Sequence, residues 1–514
     1  MIRADQLTGQ RSGQRADPRA RLFAAAVWRL QPDGMPLRTQ LYRQLRDAVA
    51  GGRLALGAVL PSTRELAAAL GVARSTLVEA LDQLRLEGYL QTRQGAATRV
   101  AALDPRHLPG VAGPAPAARA ARAAEVAGLP IRPGLQDWRL DDPPTPVTLR
   151  AFRPGLPDLR AFPAREWATH LARRARQPAS HDLGYAGLVG VPGLREQILR
   201  HVAEVRHVVA RPEQVIVLPS AQAAFDLVIR CRLVPGDTAW VEDPGYPGIR
   251  TLLRAHGARI VPVPVDAEGL RPAAARAAPR LVYLTPSHQY PTGATLSLQR
   301  RLELLDLARA HDAVVVEDDY DSEFQIEGQP IASLQGLDRI GCVHYVGTFS
   351  KALAPALRMA YLIVPPRDVA RATAIAAATG AGVPVHVQLA MADFLSDGGL
   401  RRHVRRMGPE YAARLTLLHD TLRAAGVGRI FPVRPSGGLQ LCAALPPAAD
   451  DTEVVARLRG AGLEAQPLSA CCHGEEWRGR PGLLLGIGLV PRHEVVPAAQ
   501  ALCAVLGTAP WPGR

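Results

Sequence analysis

Between residues 37 and 57 the apolar side chains fall at Leu41, Leu45, Val49 and Leu54, near helical spacing, and the run closes at Gly57. Beyond it stands Leu60-Pro-Ser62-Thr-Arg64-Glu65-Leu-Ala-Ala-Ala-Leu70-Gly71. Ser62 and Glu65 have the spacing of a capping box ahead of an apolar run, which predicts a short helix stopped by Gly71. A three-residue turn leads to a second predicted helix, Arg74 to Glu87, with Leu77, Leu81, Leu84 and Leu86 inward and Gly88 as its stop. Two helices across such a turn form a helix-turn-helix, and Tyr89 to Val100 reads as two short strands around Gln94-Gly95, a wing. The pattern lapses over residues 102–150, which hold nine prolines and read as a linker.

From Phe152 onward short apolar runs alternate with amphipathic ones. The expected strands are Val215–Leu218, Ala239–Val241, Ile260–Val265, Leu281–Leu284, Ala313–Val316, Cys342–Val346 and Tyr361–Val364. Helical stretches such as Arg300–Ala310 lie between them. Strands alternating with helices predict an α/β fold with a mostly parallel sheet covered on both faces. Ligands in such sheets bind at the carboxyl ends of the strands.

Charge adds a direction to the N-terminal part. The chain of 514 residues has a net charge of +14. Residues 1–101 hold 15 Arg against 8 acidic residues, a net of +7, so half the excess sits in a fifth of the chain. That asymmetry points to a polyanion as partner. In a winged helix the N-terminus of the second helix enters the major groove. Arg74, Ser75 and Thr76 are therefore the base- or phosphate-facing candidates, and Arg64 is placed for a phosphate. No apolar run is long and uncharged enough for a membrane span, and the Arg- and Gln-rich start has no apolar core of a secretory signal. The six cysteines show no spacing suited to zinc; no metal is expected, and reduced thiols fit a cytoplasmic protein.

One residue type then picks out the chemistry. Of 61 basic residues, 60 are arginine; the one lysine is Lys351, in Gly347-Thr348-Phe349-Ser350-Lys351. An ε-amine can lose its proton and condense with an aldehyde, which a guanidinium cannot do. After the preceding strand comes Glu317-Asp318-Asp319-Tyr320-Asp321-Ser322-Glu323, where Asp318 and Tyr320, two apart, can aim the same way. A carboxylate, a phenol and an amine on neighbouring strand ends are the groups pyridoxal 5′-phosphate requires: an anion for the ring nitrogen, a donor for the ring oxygen, an amine for the aldehyde. Its phosphate needs donors. Thr348 and Ser350 offer hydroxyls, Arg358 a guanidinium, and Ser220-Ala221-Gln222 the start of a helix. Tyr246, after a third strand, could stack on the ring.

These motifs carry a resemblance. Leu60 to Thr76 resembles the signature of the GntR family of bacterial regulators, with Ala73 where that family often has a capping serine. The larger part resembles a fold-type I, class I aminotransferase through Phe152-Arg-Pro-Gly155-Leu-Pro157-Asp158, Thr285-Pro-Ser-His-Gln-Tyr-Pro-Thr-Gly293, Glu317 to Glu323 and Gly347 to Lys351. Joined, they are similar to the MocR family of transcription regulators. The resemblance implies Lys351 as the lysine that joins the cofactor, Asp318 as the pyridine partner, Tyr320 as the ring-oxygen donor and Arg358 as a phosphate ligand. It also implies that Tyr185 reaches the phosphate of a partner subunit in a homodimer, domain-swapped in arrangement. Three positions depart from the aminotransferase pattern. Ser220-Ala221 replaces a Gly followed by Ser or Thr, Tyr290 replaces an asparagine, and Leu484 stands where an arginine would clamp a substrate carboxylate.

The expected organisation is a disordered basic arm over 1–28, the winged helix-turn-helix over 29–101, the linker over 102–150 and the aminotransferase-like domain over 151–514. The function expected is a regulator that binds promoter DNA and senses pyridoxal phosphate, or an aldimine it forms with a small amine or amino acid. The alternatives are a working aminotransferase with an accessory DNA-binding module, or a fold relic without cofactor. Transaminase activity is expected to be weak or vestigial.

Overall fold

A computed structural model of the chain describes residues 18–31, 35–92, 97–101, 150–184, 187–275, 277–326, 332–474, 476–477 and 479–507. The chain divides into two compact units, one within residues 1–130 and one within 131–514.

The first unit is built of α1 (Pro18–Val27), α2 (Leu37–Ala50), α3 (Thr63–Leu70) and α4 (Arg74–Leu86), followed by the antiparallel pair β1 (Leu90–Gln91) and β2 (Arg99–Val100). Local signals start and stop its helices. The Ser62 hydroxyl accepts from the Glu65 N–H and the Glu65 carboxylate accepts from the Ser62 N–H, which closes the capping box. Gly71 ends α3 in the left-handed conformation, φ 66°, which glycine adopts without a Cβ clash. Leu41, Leu45, Leu66, Leu77, Leu81 and Leu84 share one core.

Two expectations change here. Residues 18–28 do not belong to a disordered arm: α1 lies in that span, and Ala24, Val27 and Trp28 are buried in the same core. The Trp28 indole N–H donates to the Leu41 carbonyl at 2.9 Å. Burying such a side chain contributes about 1.5–3 kcal/mol, which outweighs the arginine-rich composition around it. Leu86 does not point inward but is 85% exposed, because it lies roughly 200° round the helix from Leu84. Gln94-Gly95 of the wing, residues 1–17 and nearly all of the linker lie outside the described residues.

The second unit carries an eight-stranded sheet. Its strands are β3 (Val215–Leu218), β4 (Thr238–Asp243), β5 (Arg259–Asp266), β6 (Gly269–Leu270), β7 (Leu281–Leu284), β8 (Val314–Asp319), β9 (Val343–Thr348) and β10 (Ala360–Ile363). Their order is β3-β10-β9-β8-β7-β4-β5-β6. β5, β4, β7, β8 and β9 pair in parallel, while β10 runs antiparallel to both β9 and β3. The mostly parallel sheet and its seven long strands agree with the sequence pattern to within a few residues.

Of a second sheet only one strand was expected, the stretch Gly482 to Gly488 around Leu484 that aligns with an aminotransferase strand: the sheet holds β11 (Phe431–Pro432), β12 (Gln440–Ala444), β13 (Gln466–Pro467) and β14 (Gly482–Gly486), antiparallel in the order β11-β12-β14-β13. Its strands are too short for alternation to stand out. It shares a core with the helices Gly399–Ala425 and Arg492–Gly507, and Phe152 bridges to Gly486 at its edge. That bridge brings the segment after Phe152 toward the carboxyl ends of the large sheet.

Candidate cofactor site

Strands β8 and β9 end side by side, with Asp318 paired to Val346 and Asp319 to Gly347. There a cavity of about 190 Å³ opens, lined by Lys351, Asp318, Tyr320, Tyr246, Ser220, Ala221, Gln222, Thr348 and Ser350, together with Gly155, Phe225, Tyr290 and Gln440. Nine of the residues singled out from sequence thus surround one space, although they lie up to 131 residues apart in the chain, from Ser220 to Lys351.

Each is held by its own local structure. Thr348 caps the short helix Phe349–Ala352, its hydroxyl accepting from the Ser350 N–H at 3.1 Å and donating to the Ser350 hydroxyl at 3.0 Å. One turn on, the Lys351 amine donates to the Gly155 carbonyl. A Cβ on Gly155 would lie 3.3 Å from that nitrogen, and the backbone there has φ +81°, so glycine leaves the lysine its place. Burial holds the Lys351 pKa below its usual value, against the pull of Asp321 and Asp318. Such an amine is closer to the neutral form a nucleophile needs.

Asp318 is 7% exposed. Burial pushes its pKa up to about 7; the Tyr283 hydroxyl, donating at 2.5 Å, pulls down, and Asp319 adds repulsion. The pull of the Lys351 amine, the cation acting on it, does not offset that burial. Tyr283 was not singled out from sequence, and it could have been: a tyrosine in the middle of an apolar strand needs a partner for its hydroxyl.

The Tyr320 hydroxyl lies 3.2 Å from His288 Nδ1, and His288 lies 3.0 Å from Asp321. Tyr246 accepts from the Gln222 amide at 2.9 Å. Its ring and the Tyr320 ring both meet Tyr290 edge to face, at 5.6 and 6.0 Å. Ser220 caps the helix Ala221–Arg232, accepting from the Ala223 N–H at 3.2 Å. The helix therefore directs its N-terminal dipole at the cavity.

One predicted residue stands apart. Arg358 is exposed, adopts φ 48° after the turn Pro355–Leu357 and does not line the cavity; two residues on, Ala360 pairs with Thr348. Tyr185 lies outside the described residues. Leu484 is fully buried in β14, paired with Cys442 and Gln466. In the first unit Arg64, Arg74 and Ser75 are exposed and Thr76 is half-buried at the start of the helix-turn-helix elements. The Arg74 Nε donates to the Thr63 hydroxyl at 3.3 Å, and Ala73 provides no side-chain cap for α4.

The residues present fit pyridoxal phosphate by their chemistry. A buried acid whose pKa the nearby amine does not bring down, an amine of lowered basicity, a helix start at Ser220 and the hydroxyls of Thr348 and Ser350 converge on one cavity, and Gly155 leaves room beside the amine.

Comparison with known proteins agrees with both units. Residues 157–477 match the aminotransferase class I and II family, and residues 37–100 match the bacterial regulatory proteins of the gntR family. The chain is 37% identical to the probable rhizopine catabolism regulatory protein MocR of Rhizobium meliloti over 85% of its own length and 87% of that protein's. It is 32% identical to the pyridoxine biosynthesis transcriptional regulator PdxR of Corynebacterium glutamicum, over 80% and 83%. Among solved structures, the α-aminoadipate aminotransferase LysN of Thermus thermophilus, complexed with N-(5′-phosphopyridoxyl)-L-leucine, superposes with a TM-score of 0.64 at 27% identity over 70% of this chain and 92% of its own. The chain belongs to the MocR-type regulators, in which a gntR-family winged helix-turn-helix is joined to a class I and II aminotransferase domain.

Proposed function

We propose that this protein binds promoter DNA through its winged helix-turn-helix and senses pyridoxal 5′-phosphate, or an amine presented to it, in its aminotransferase-like unit. The observation that carries the reading is the union, in one chain, of a gntR-family module and a cavity holding Lys351 beside Asp318. The cofactor supplies an aldehyde to which amines join.

The chain's own residues account for its retention. Asp318 holds a proton at the ring nitrogen, and that positive charge relieves the burial that raises its own pKa. Tyr320 donates to the ring oxygen and Tyr246 covers the ring. Ser220, Ala221, Gln222, Thr348 and Ser350 hold the phosphate, with Tyr185 donated from the partner subunit of a domain-swapped homodimer; Arg358, off the cavity wall, would have to turn toward the phosphate to serve as its cation. Arg64, Arg74, Ser75 and Thr76 meet DNA. Ligand acts by preferring one arrangement of two winged helices on operator half-sites. The protein is proposed to work in the cytoplasm; among the described residues no helix is long and apolar enough to cross a membrane.

The test is operator binding at the promoter beside its own gene, titrated with pyridoxal phosphate and amines. A changed affinity or footprint is expected; no change with either ligand rejects sensing. The fold also serves transaminases such as LysN, so turnover is the second reading. Buried Leu484, and the lack of any arginine among the described residues lining the cavity, weigh against it. Incubation with amino acids and 2-oxoglutarate is expected to give no product above background.

A further inference from the structure

Resting on the cofactor-binding reading above, we infer that the cavity selects primary amines that carry no carboxylate. The charge around it argues this. Lys351 is the one cationic side chain among the described residues that line it, and it is the residue assigned to the cofactor. Asp318 lines the same cavity, and buried Glu242 and Asp321 stand close enough to act on it or on its tyrosines. Buried Arg250, in the helix that follows Tyr246, is committed to backbone: it donates to the carbonyls of Ala470, Cys471 and Cys472 at 2.8–3.2 Å.

The wall made by Tyr290 and the small sheet is neutral. Tyr290 lines the cavity and packs against a buried cluster of Cys442, Leu468, Cys471 and Leu484. Its hydroxyl donates to the Gln466 side chain at 3.1 Å, which holds the ring between the cavity and that cluster. Gln440 stands one rung along the same sheet face, two residues before Cys442, and its amide lies 3.5 Å from the Tyr320 hydroxyl. A ligand body entering here meets phenols and amides. A carboxylate would be dehydrated beside an acid with no cation to receive it, whereas hydroxyl, aromatic or further amino groups find partners.

The experiment uses the full-length protein with its cofactor and matched pairs that differ by one carboxylate: tyramine and tyrosine, ethanolamine and serine, cadaverine and lysine. Two readouts are followed, the absorbance of the bound cofactor and operator affinity. The amine of each pair is expected to act at a concentration at least about tenfold lower than its amino acid, the worth of one charge-assisted hydrogen bond. Gln440→Arg, which sets a guanidinium at the polar edge of the cavity, is expected to shrink or invert that ratio. Equal or better response to the amino acids overturns the inference, and so does no response to either member while the cofactor's absorbance shows it bound. A protein that shows no cofactor absorbance at all overturns the proposed function itself, and this inference with it.

Discussion

On the strand Val314–Asp319 two adjacent acids face opposite sides of the sheet, and their surroundings differ in kind. Asp319 lies toward the helix Pro192–Arg206. The Arg206 Nε donates to it at 2.7 Å, the Tyr345 hydroxyl donates to the same oxygen, and Arg206 also reaches Ser287. Asp318 faces the cavity with one phenol and no arginine. The first charge is neutralised within the protein; the second is left for something that enters. The same division separates two helix starts in the N-terminal unit, since Ser62 satisfies α3 while Ala73 leaves α4 uncapped. An interior group without compensation, beside one that is fully compensated, marks where a partner belongs.

Breaking the compensated side should cost most. Arg206→Met strands Asp319 as a buried unpaired charge, and denaturant unfolding should show a loss of about 3–5 kcal/mol. On the cavity side the result should reverse. Asp318→Asn is expected to leave the cofactor-free protein as stable or more so. Yet it should weaken pyridoxal phosphate binding by at least about tenfold in an absorbance titration, because it removes one charge-assisted hydrogen bond. Equal destabilisation by the two substitutions would erase the contrast.

Titration sharpens it further. Burial raises the pKa of Asp318 to about 7, and likewise that of Glu317 to about 7 and of Glu242 and Glu323 to about 8. An acid whose folded pKa lies above its unfolded value binds more protons when folded, so stability falls as pH rises between the two values. Thermal unfolding of the cofactor-free protein should show stability declining from about pH 4, the unfolded carboxylate range, to about pH 8. Asp318→Asn should flatten part of that slope. The smallest effect belongs to the helix starts. Ser62→Ala should lower, and Ala73→Ser raise, the stability of the N-terminal unit by about 1 kcal/mol each.

The helix-turn-helix was legible because its signals are local. Ser62, Glu65 and Gly71 act within a turn of themselves, and Leu77, Leu81 and Leu84 repeat at the helical period. The seven long strands were legible through runs of β-branched residues. The roles of Tyr283 behind Asp318, and of Gly155 and Gln440 on the cavity wall, were not, because each depends on a neighbour set by sheet order or by docking of the small sheet. α1 was missed because its partners, Leu41 and Leu45, lie beyond a break in the pattern. Residue types, the solitary lysine above all, determined which chemistry the chain can perform and roughly where its elements begin and end. Tertiary structure alone decided that Asp318 should be dry and short of a cation while Asp319 is paired. Strand alternation sends the two side chains to opposite faces, but Arg206 lies 113 residues from Asp319, and only the folded sheet with its covering helix brings one cation to one face and an open cavity to the other.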